Sequence, residues 1–203
     1  MLIYMIRHGQ TDWNAELRLQ GQCDIPLNAI GRQQATGNGL ALARLVGPDI
    51  ARFDFVASPL SRTRETMERL RTAMGLAPTE YRVDARLKEV SFGDWEGLTL
   101  PEVEMRDPQR LAAREASKWD FLPPGEAAES YEILSWRIAS WLSDVDKPTV
   151  CVSHGGVIRA LFKLLGAMTP DEAAMGAIPQ DRILMIHDGA IGWITPDLAD
   201  GNP

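Results

Sequence analysis

Two short apolar runs in this chain each end in a histidine followed by a glycine. Leu2-Ile3-Tyr4-Met5-Ile6 leads into Arg7-His8-Gly9, and Val150-Cys151-Val152-Ser153 leads into His154-Gly155-Gly156. Runs of this length and composition, bounded by polar residues and glycine, read as buried strands. In α/β proteins the exits of parallel strands are where ligands bind. Two of the three histidines are therefore expected at equivalent places in the fold. An imidazole preceded by a guanidinium suggests a nucleophile or base beside an oxyanion clamp.

The rest of the chain supplies the elements such a sheet needs. Three strand-turn-helix units stand out. The first is a strand over 2–6, a polar loop, and a helix over about 31–46. The second is a strand over 53–57, then Ser58-Pro59, then a helix over about 61–74. The third is a strand over 149–153 followed by a helix running to about residue 165. A further helix is predicted over 131–144. Near the end, Ile183-Leu184-Met185-Ile186-His187 and Ala190-Ile191-Gly192-Trp193-Ile194 flank Asp188-Gly189, a strong signal for a tight hairpin turn. Alternating strands and helices with short connections predict an α/β three-layer sandwich. Its central sheet is mostly parallel, has helices on both faces, and ends in a C-terminal antiparallel hairpin.

Length and composition set outer limits. The 203 residues, 45% of them hydrophobic, suffice for one core, so residues 1–203 are read as a single domain. The formal net charge of −7 argues against nucleic acid or an acidic membrane surface as partner. Local arginines leave room for a small anionic substrate. Cys23 and Cys151 make neither a metal-binding spacing nor a disulfide framework. The apolar N-terminal run is too short for a signal peptide or a membrane span, and a cytoplasmic location is expected. Nothing requires more than a monomer, and a homodimer would be permitted.

Segment 95–130 differs from the rest. It contains Pro101, Pro108, Pro123 and Pro124 and reads as one or two helices, with Asp107-Pro108 as an N-cap and first-turn proline. It is expected to form a cap over the strand ends and to select the substrate. Within it Arg110, Arg114 and Lys118 recur every four residues. A solvated face is the ordinary account of such a stripe; the functional alternative is a second anion contact.

The polar residues at the strand exits form a set that suits phosphoryl transfer. Arg7, His8, Gln10, Thr11 and Asn14 follow the first strand, and Ser58, Ser61, Arg62 and Arg64 follow the second. His154 with two glycines follows the third, and Glu89, Asp94 and Glu96 add carboxylates between glycines. Cations and helix N-termini neutralise nonbridging oxygens, a nucleophile attacks in line, and an acid protonates the leaving oxygen. A lone histidine is more often a hydrogen-bonded structural residue. Two at equivalent strand exits beside two arginines favour catalysis. The loop after the first strand lacks both the dinucleotide-binding glycine pattern and the P-loop lysine, which argues against a nucleotide-binding protein. Trp13 and Trp95 flank these motifs and are candidates for pocket lining, whereas Arg64, Arg69 and Arg71 read as surface residues.

These blocks together resemble the histidine phosphatase superfamily, in its phosphoglycerate-mutase-like branch. The match begins with Arg7-His8-Gly9-Gln10-Thr11-Asp12-Trp13-Asn14 and continues through Gln20-Gly21, Asp24 and Pro26-Leu27. It then runs through Ser58-Pro59-Leu60-Ser61-Arg62-Thr63, Glu89 with Gly93-Asp94-Trp95-Glu96-Gly97, and Val152-Ser153-His154-Gly155-Gly156. The resemblance implies His8 as a nucleophile that becomes phosphohistidine and Glu89 as proton donor to the leaving group. It implies Arg7, Arg62, His154 and Asn14 as the phosphate-binding residues. It implies no metal and no cofactor, the positive groups supplying the charge. The stretch from Glu89 to His154 is short beside that of the true mutases, which favours hydrolysis of a small phosphorylated metabolite. Mutase-type transfer and a noncatalytic phosphate-binding module are the alternatives, and binding alone would need no acid. The chain departs from many phosphatase members at Ala128-Glu129-Ser130, where they carry Gly-Glu-Ser ahead of the helix.

Overall fold

The structure is a computed structural model and describes residues 1–196. Residues 197–203, the end of the predicted domain, lie outside the described residues. The elements in order are β1 (Leu2–Arg7), α1 (Asp12–Ala15), α2 (Ala29–Val46), β2 (Asp54–Ala57), α3 (Ser61–Ala73), β3 (Arg82–Val83), α4 (Leu100–Arg106) and α5 (Pro108–Ala116). After these come α6 (Tyr131–Ser143), β4 (Thr149–Ser153), α7 (Gly155–Leu164), α8 (Pro170–Met175), β5 (Ile183–His187) and β6 (Ala190–Ile194).

Alternation along β1 decides the layering. Ile3 and Met5 join one buried cluster with Leu134, Ile138 and Trp141 of α6 and Val157, Ile158 and Leu161 of α7. Tyr4 and Ile6 join the other, with Leu42 of α2 and Met67 and Leu70 of α3. A strand that buries both sets of side chains must be covered on both faces, which is the predicted sandwich. Cys151 sits in the first cluster as ordinary core.

The sheet runs β3-β2-β4-β1-β5-β6. β1 and β2 both pair parallel with β4, with Ile3 and Asp54 each opposite Thr149. β5 pairs antiparallel with β1, and β6 with β5. The connecting Asp188 and Gly189 have φ of 49° and 84°, as the predicted tight turn requires. Three elements were not anticipated. β3 has two residues and depends on its pairing with β2. α1 is a single turn closed by a capping box between Thr11 and Asn14. α8 begins with another, from Thr169 to Glu172.

Segment 95–130 contains two short helices, α4 and α5. Asp107 caps α5, its carboxylate accepting from the Arg110 N–H, and Pro108 occupies the first turn. Within the segment Trp95 stacks on Phe121, and Trp119 ties it to Tyr131 of α6. Among the described residues, no helix is long and apolar enough to cross a membrane.

Candidate active site

The parallel strands bring their exits into one place. The His8 N–H donates to the Ser153 carbonyl at 2.9 Å, and the Ser58 N–H donates to the Val152 carbonyl at 3.1 Å. Adjacent strands thus hold each other's final residues in register. The His8 and His154 rings lie 5.2 Å apart, centre to centre, at 63°.

The state of His8 follows from its contacts. Its Nδ1 lies 2.8 Å from the Gly9 carbonyl. A carbonyl only accepts, so Nδ1 carries the proton and Nε2 presents its lone pair. Burial, followed by the nearby Arg62 and Arg7 charges, holds the pKa of this ring well below 6.5. His154 is also buried, with Nε2 2.8 Å from the Ser58 hydroxyl. Burial first, then Arg62, His8 and two further arginines, lowers its pKa as well.

Two guanidinium groups flank the histidines. Arg62, at the start of α3, is 0% exposed and donates to the carbonyls of Cys23 and Gly21. Arg7 donates to the Ile178 carbonyl at 2.7 Å. Burial, offset in part by Glu89 and reinforced by the Arg159 and Arg62 charges, brings the Arg7 pKa down to about 10. Among the described residues, neither arginine forms an ion pair with a carboxylate, although many surface arginines do.

Glu89 faces them from the connection between β3 and α4. Its carboxylate accepts from the Gly156 N–H at 3.0 and 3.2 Å and from the Val90 N–H at 2.9 Å. Gly156 must be glycine for this approach, because a Cβ there would lie 2.2 Å from Glu89 Oε1. Arg137 of α6 holds the loop from behind, donating to the carbonyls of Arg86, Lys88 and Glu89 and to both Glu129 oxygens. Glu129 and Ser130 of the departing Ala128-Glu129-Ser130 motif are therefore structural. Glu129 braces the Glu89 loop, and Ser130 caps α6. The neighbouring carboxylates have other duties. Glu96 accepts backbone N–H groups from Gln22, Cys23 and Phe92 and fastens two loops together, while Asp94 is exposed.

A cavity of about 140 Å³ opens between these groups, lined by Arg7, His8, Asn14, Arg62 and Glu89 among others. Five of the six predicted site residues thus line one space, and His154 packs behind His8. Asn14 Oδ1 is occupied by Thr11 and Gln180, which leaves the amide nitrogen for the cavity. Residues not foreseen also line it, notably Gln20, Tyr131 and Arg159. Gln20 was part of the matched pattern without a role, and Arg159 interrupts the apolar stretch from Val157 to Phe162 in α7, which is a readable signal. Trp13 and Trp95, considered as pocket lining, are absent from the wall: Trp13 packs on Gly97 and Trp95 on Phe121. Arg71, read as a surface residue, is buried with its guanidinium 4.4 Å over Phe55.

Unsatisfied polarity is concentrated here. Among the described residues, seven buried side-chain nitrogen or oxygen atoms lack a hydrogen-bond partner. Five of them are Arg7 Nε, Arg62 Nε, His154 Nδ1 and both ends of the Gln20 amide. Each buried unpaired polar group costs roughly 1–3 kcal/mol, so their clustering marks a site built to meet a polar ligand. Among the described residues, no group of three or more His, Cys, Asp or Glu side chains is placed to hold a metal ion.

The family model for the histidine phosphatase superfamily (branch 1) matches residues 3–188. The chain belongs to that superfamily. It is similar to a glucosyl-3-phosphoglycerate phosphatase of Mycobacterium tuberculosis, 38% identical over 190 residues, covering 86% of this chain and 81% of the relative. A metal-independent phosphoserine phosphatase of Arabidopsis thaliana is 31% identical over 98% of this chain and 81% of its own length. A probable phosphoglycerate mutase of Citrobacter koseri is 46% identical over 80% of this chain and 74% of its own. Among solved structures, a mycobacterial glucosyl-3-phosphoglycerate phosphatase in complex with VO3 superposes with a TM-score of 0.74 at 30% identity, covering 95% of this chain and 96% of that one.

Proposed function

We propose that this member of the superfamily hydrolyses phosphomonoesters of small metabolites through a phosphohistidine at His8. The observation that carries the reading is the ring of unpaired buried polar atoms around a histidine whose free nitrogen is defined by its own hydrogen bond. A small phosphorylated metabolite as substrate and the cytoplasm as its compartment belong to the same reading.

Arg7 and Arg62 bind the nonbridging phosphoryl oxygens, and the amides of Asn14 and Gln20 complete the contacts. His154 needs no positive charge to join them. With the Ser58 hydroxyl donating to Nε2, it keeps a proton on Nδ1. His8 Nε2 attacks phosphorus, the P–O bond to the leaving group breaks, and the leaving oxygen takes a proton from Glu89. Glu89 then accepts a proton from water, whose oxygen displaces His8 and releases inorganic phosphate. The enzyme returns to its starting state with one ester bond hydrolysed.

Phosphate release from a panel of phosphomonoesters, run with a chelator, tests this. The wild type turns over at least one compound, and His8→Ala lowers kcat by about 10⁴-fold or more, as loss of a nucleophile does elsewhere. Activity that survives in His8→Ala, or that the chelator abolishes, would overturn the mechanism. Phosphoglycerate interconversion outpacing phosphate release would favour the mutase alternative.

A further inference from the structure

On the α2 side of the sheet, a second cavity of about 380 Å³ shares no lining residue with the proposed phosphoryl site. Its wall runs from Ile30, Gln34 and Asn38 of α2 to Asp181 before β5 and Pro196 after β6. Two of these side chains reach the loops around His8. Gln34 Oε1 accepts from the Gln10 N–H at 2.9 Å. The Asn38 amide donates to the Gln180 carbonyl at 3.1 Å. Gln180 in turn holds the His8 carbonyl and the Asn14 amide oxygen.

That contact fixes the polarity of the Asn38 amide. A carbonyl only accepts, so the Asn38 nitrogen faces Gln180 and the oxygen faces the other way. Asn38 is 1% exposed, and its Oδ1 has no hydrogen-bond partner among the described residues. It is one of two such atoms away from the phosphoryl pocket, the other being the Trp141 indole nitrogen. A buried acceptor without a donor is unfavourable, so a molecule that fits this cavity must donate to it. Charge narrows the class further. Among the described residues, Asp181 is the only charged side chain on the wall, and it forms no ion pair. The neighbouring Arg182 does not line the cavity. Ile30 and Pro196 add apolar surface.

We propose that this cavity binds a small organic ammonium compound, and that its occupation strengthens phosphate binding at the first site. The ammonium donates to Asn38 Oδ1, Asp181 neutralises it, and its apolar body lies against Ile30 and Pro196. A donor at Oδ1 holds the Asn38 amide from its free side. Through Gln180 that order extends to the Asn14 amide before phosphate arrives, which lowers the ordering cost of binding. The first half of the proposal is independent of the phosphomonoesterase reading, and the second half rests on it.

Cyclohexylammonium, cyclohexanol and cyclohexanecarboxylate share one apolar body and differ in charge. In calorimetric titration of the wild type, the ammonium binds about tenfold or more tightly than the alcohol, the value of one charge-assisted contact. The carboxylate binds more weakly than either. Asp181→Asn, an exposed substitution that leaves phosphate release unchanged, removes the preference. Asn38→Leu weakens ammonium and alcohol together, and Asp181→Asn decides alone should that variant not fold. Equal binding of the three compounds, no binding, or a preference that Asp181→Asn leaves intact overturns the site. Inorganic phosphate then tests the coupling. With the cavity saturated by cyclohexylammonium, phosphate binds about fivefold more tightly, and the ammonium gains the same factor when phosphate is present, because linkage is reciprocal. Asp181→Asn abolishes both gains. An unchanged phosphate affinity overturns the coupling. Phosphate that does not bind the wild type under either condition counts against the phosphomonoesterase reading, and the three-compound comparison still decides the cavity.

Discussion

Arg62 of α3 and Arg137 of α6 lie on opposite faces of the sheet, and both donate to backbone carbonyls of loops around the cavity. Arg137 also forms a bidentate pair with Glu129. Arg62, more deeply buried, has no carboxylate partner and an unpaired Nε among the described residues. A charge that is neutralised within the chain is a strut. A charge left unneutralised at greater desolvation cost is held for something that arrives from outside. The same division separates the paired arginines of the surface from Arg7 and Arg159 around the pocket.

The largest effect expected from this comparison is on Arg62. Arg62→Met lowers kcat/KM for phosphate release by about 10²–10³-fold, the range for loss of a preorganised donor to developing charge. The midpoint of thermal unfolding stays level or rises, because an uncompensated buried charge is removed. A variant that loses stability while keeping activity would place Arg62 with Arg137 as a strut. Gly156→Ala comes next. Its new Cβ meets Glu89 and displaces the proposed proton donor, lowering kcat by about 10–100-fold. Poor leaving groups are affected more than activated aryl phosphates, and equal losses on both would argue against Glu89 as the acid.

Arg137→Met acts in the opposite sense. It leaves the partly buried Glu129 unpaired and three carbonyls without their donor, and costs about 2–3 kcal/mol in chemical denaturation. The accompanying fall in kcat is smaller than for Arg62→Met. The smallest effect concerns the two histidines. Both have pKa values depressed by folding, so the unfolded chain takes up protons first as the pH drops below about 6.5. The stability they contribute above that pH is lost as the pH falls, by about 1 kcal/mol for each ring over the first unit. A His8→Asn/His154→Asn double variant shows a flatter dependence of unfolding midpoint on pH, and an unchanged slope would mean that neither ring stays neutral on folding.

How far the sequence reading reached depended on whether a residue's task is local. The strand exits were legible because an apolar run followed by His-Gly is a contiguous signal, and Arg7, His8 and His154 came with it. The α5 cap was legible in Asp107-Pro108 for the same reason. β3 was not, because its two residues carry no pattern and become a strand only through β2. Trp13 and Trp95 were misjudged because adjacency in sequence to motif residues does not fix which way a ring points; Gly97 and Phe121 do that. The burial of Arg114 was equally hidden. A spacing of four puts residues on one helical face, but what packs against that face decides whether it meets water.

The contacts that finish the pocket reach far along the chain. Arg7 bonds the Ile178 carbonyl, and Gln180 donates to the His8 carbonyl and the Asn14 amide oxygen. Synthesis is vectorial, so His8 leaves the ribosome long before these partners exist. A nascent chain that has reached α7 has both histidines, Arg7 and Arg62, yet the Arg7 guanidinium lacks its Ile178 carbonyl and the Asn14 amide oxygen has Thr11 but not Gln180. Competence in phosphate chemistry would then be acquired late, when the 178–180 stretch emerges and folds back onto residues made about 170 positions earlier.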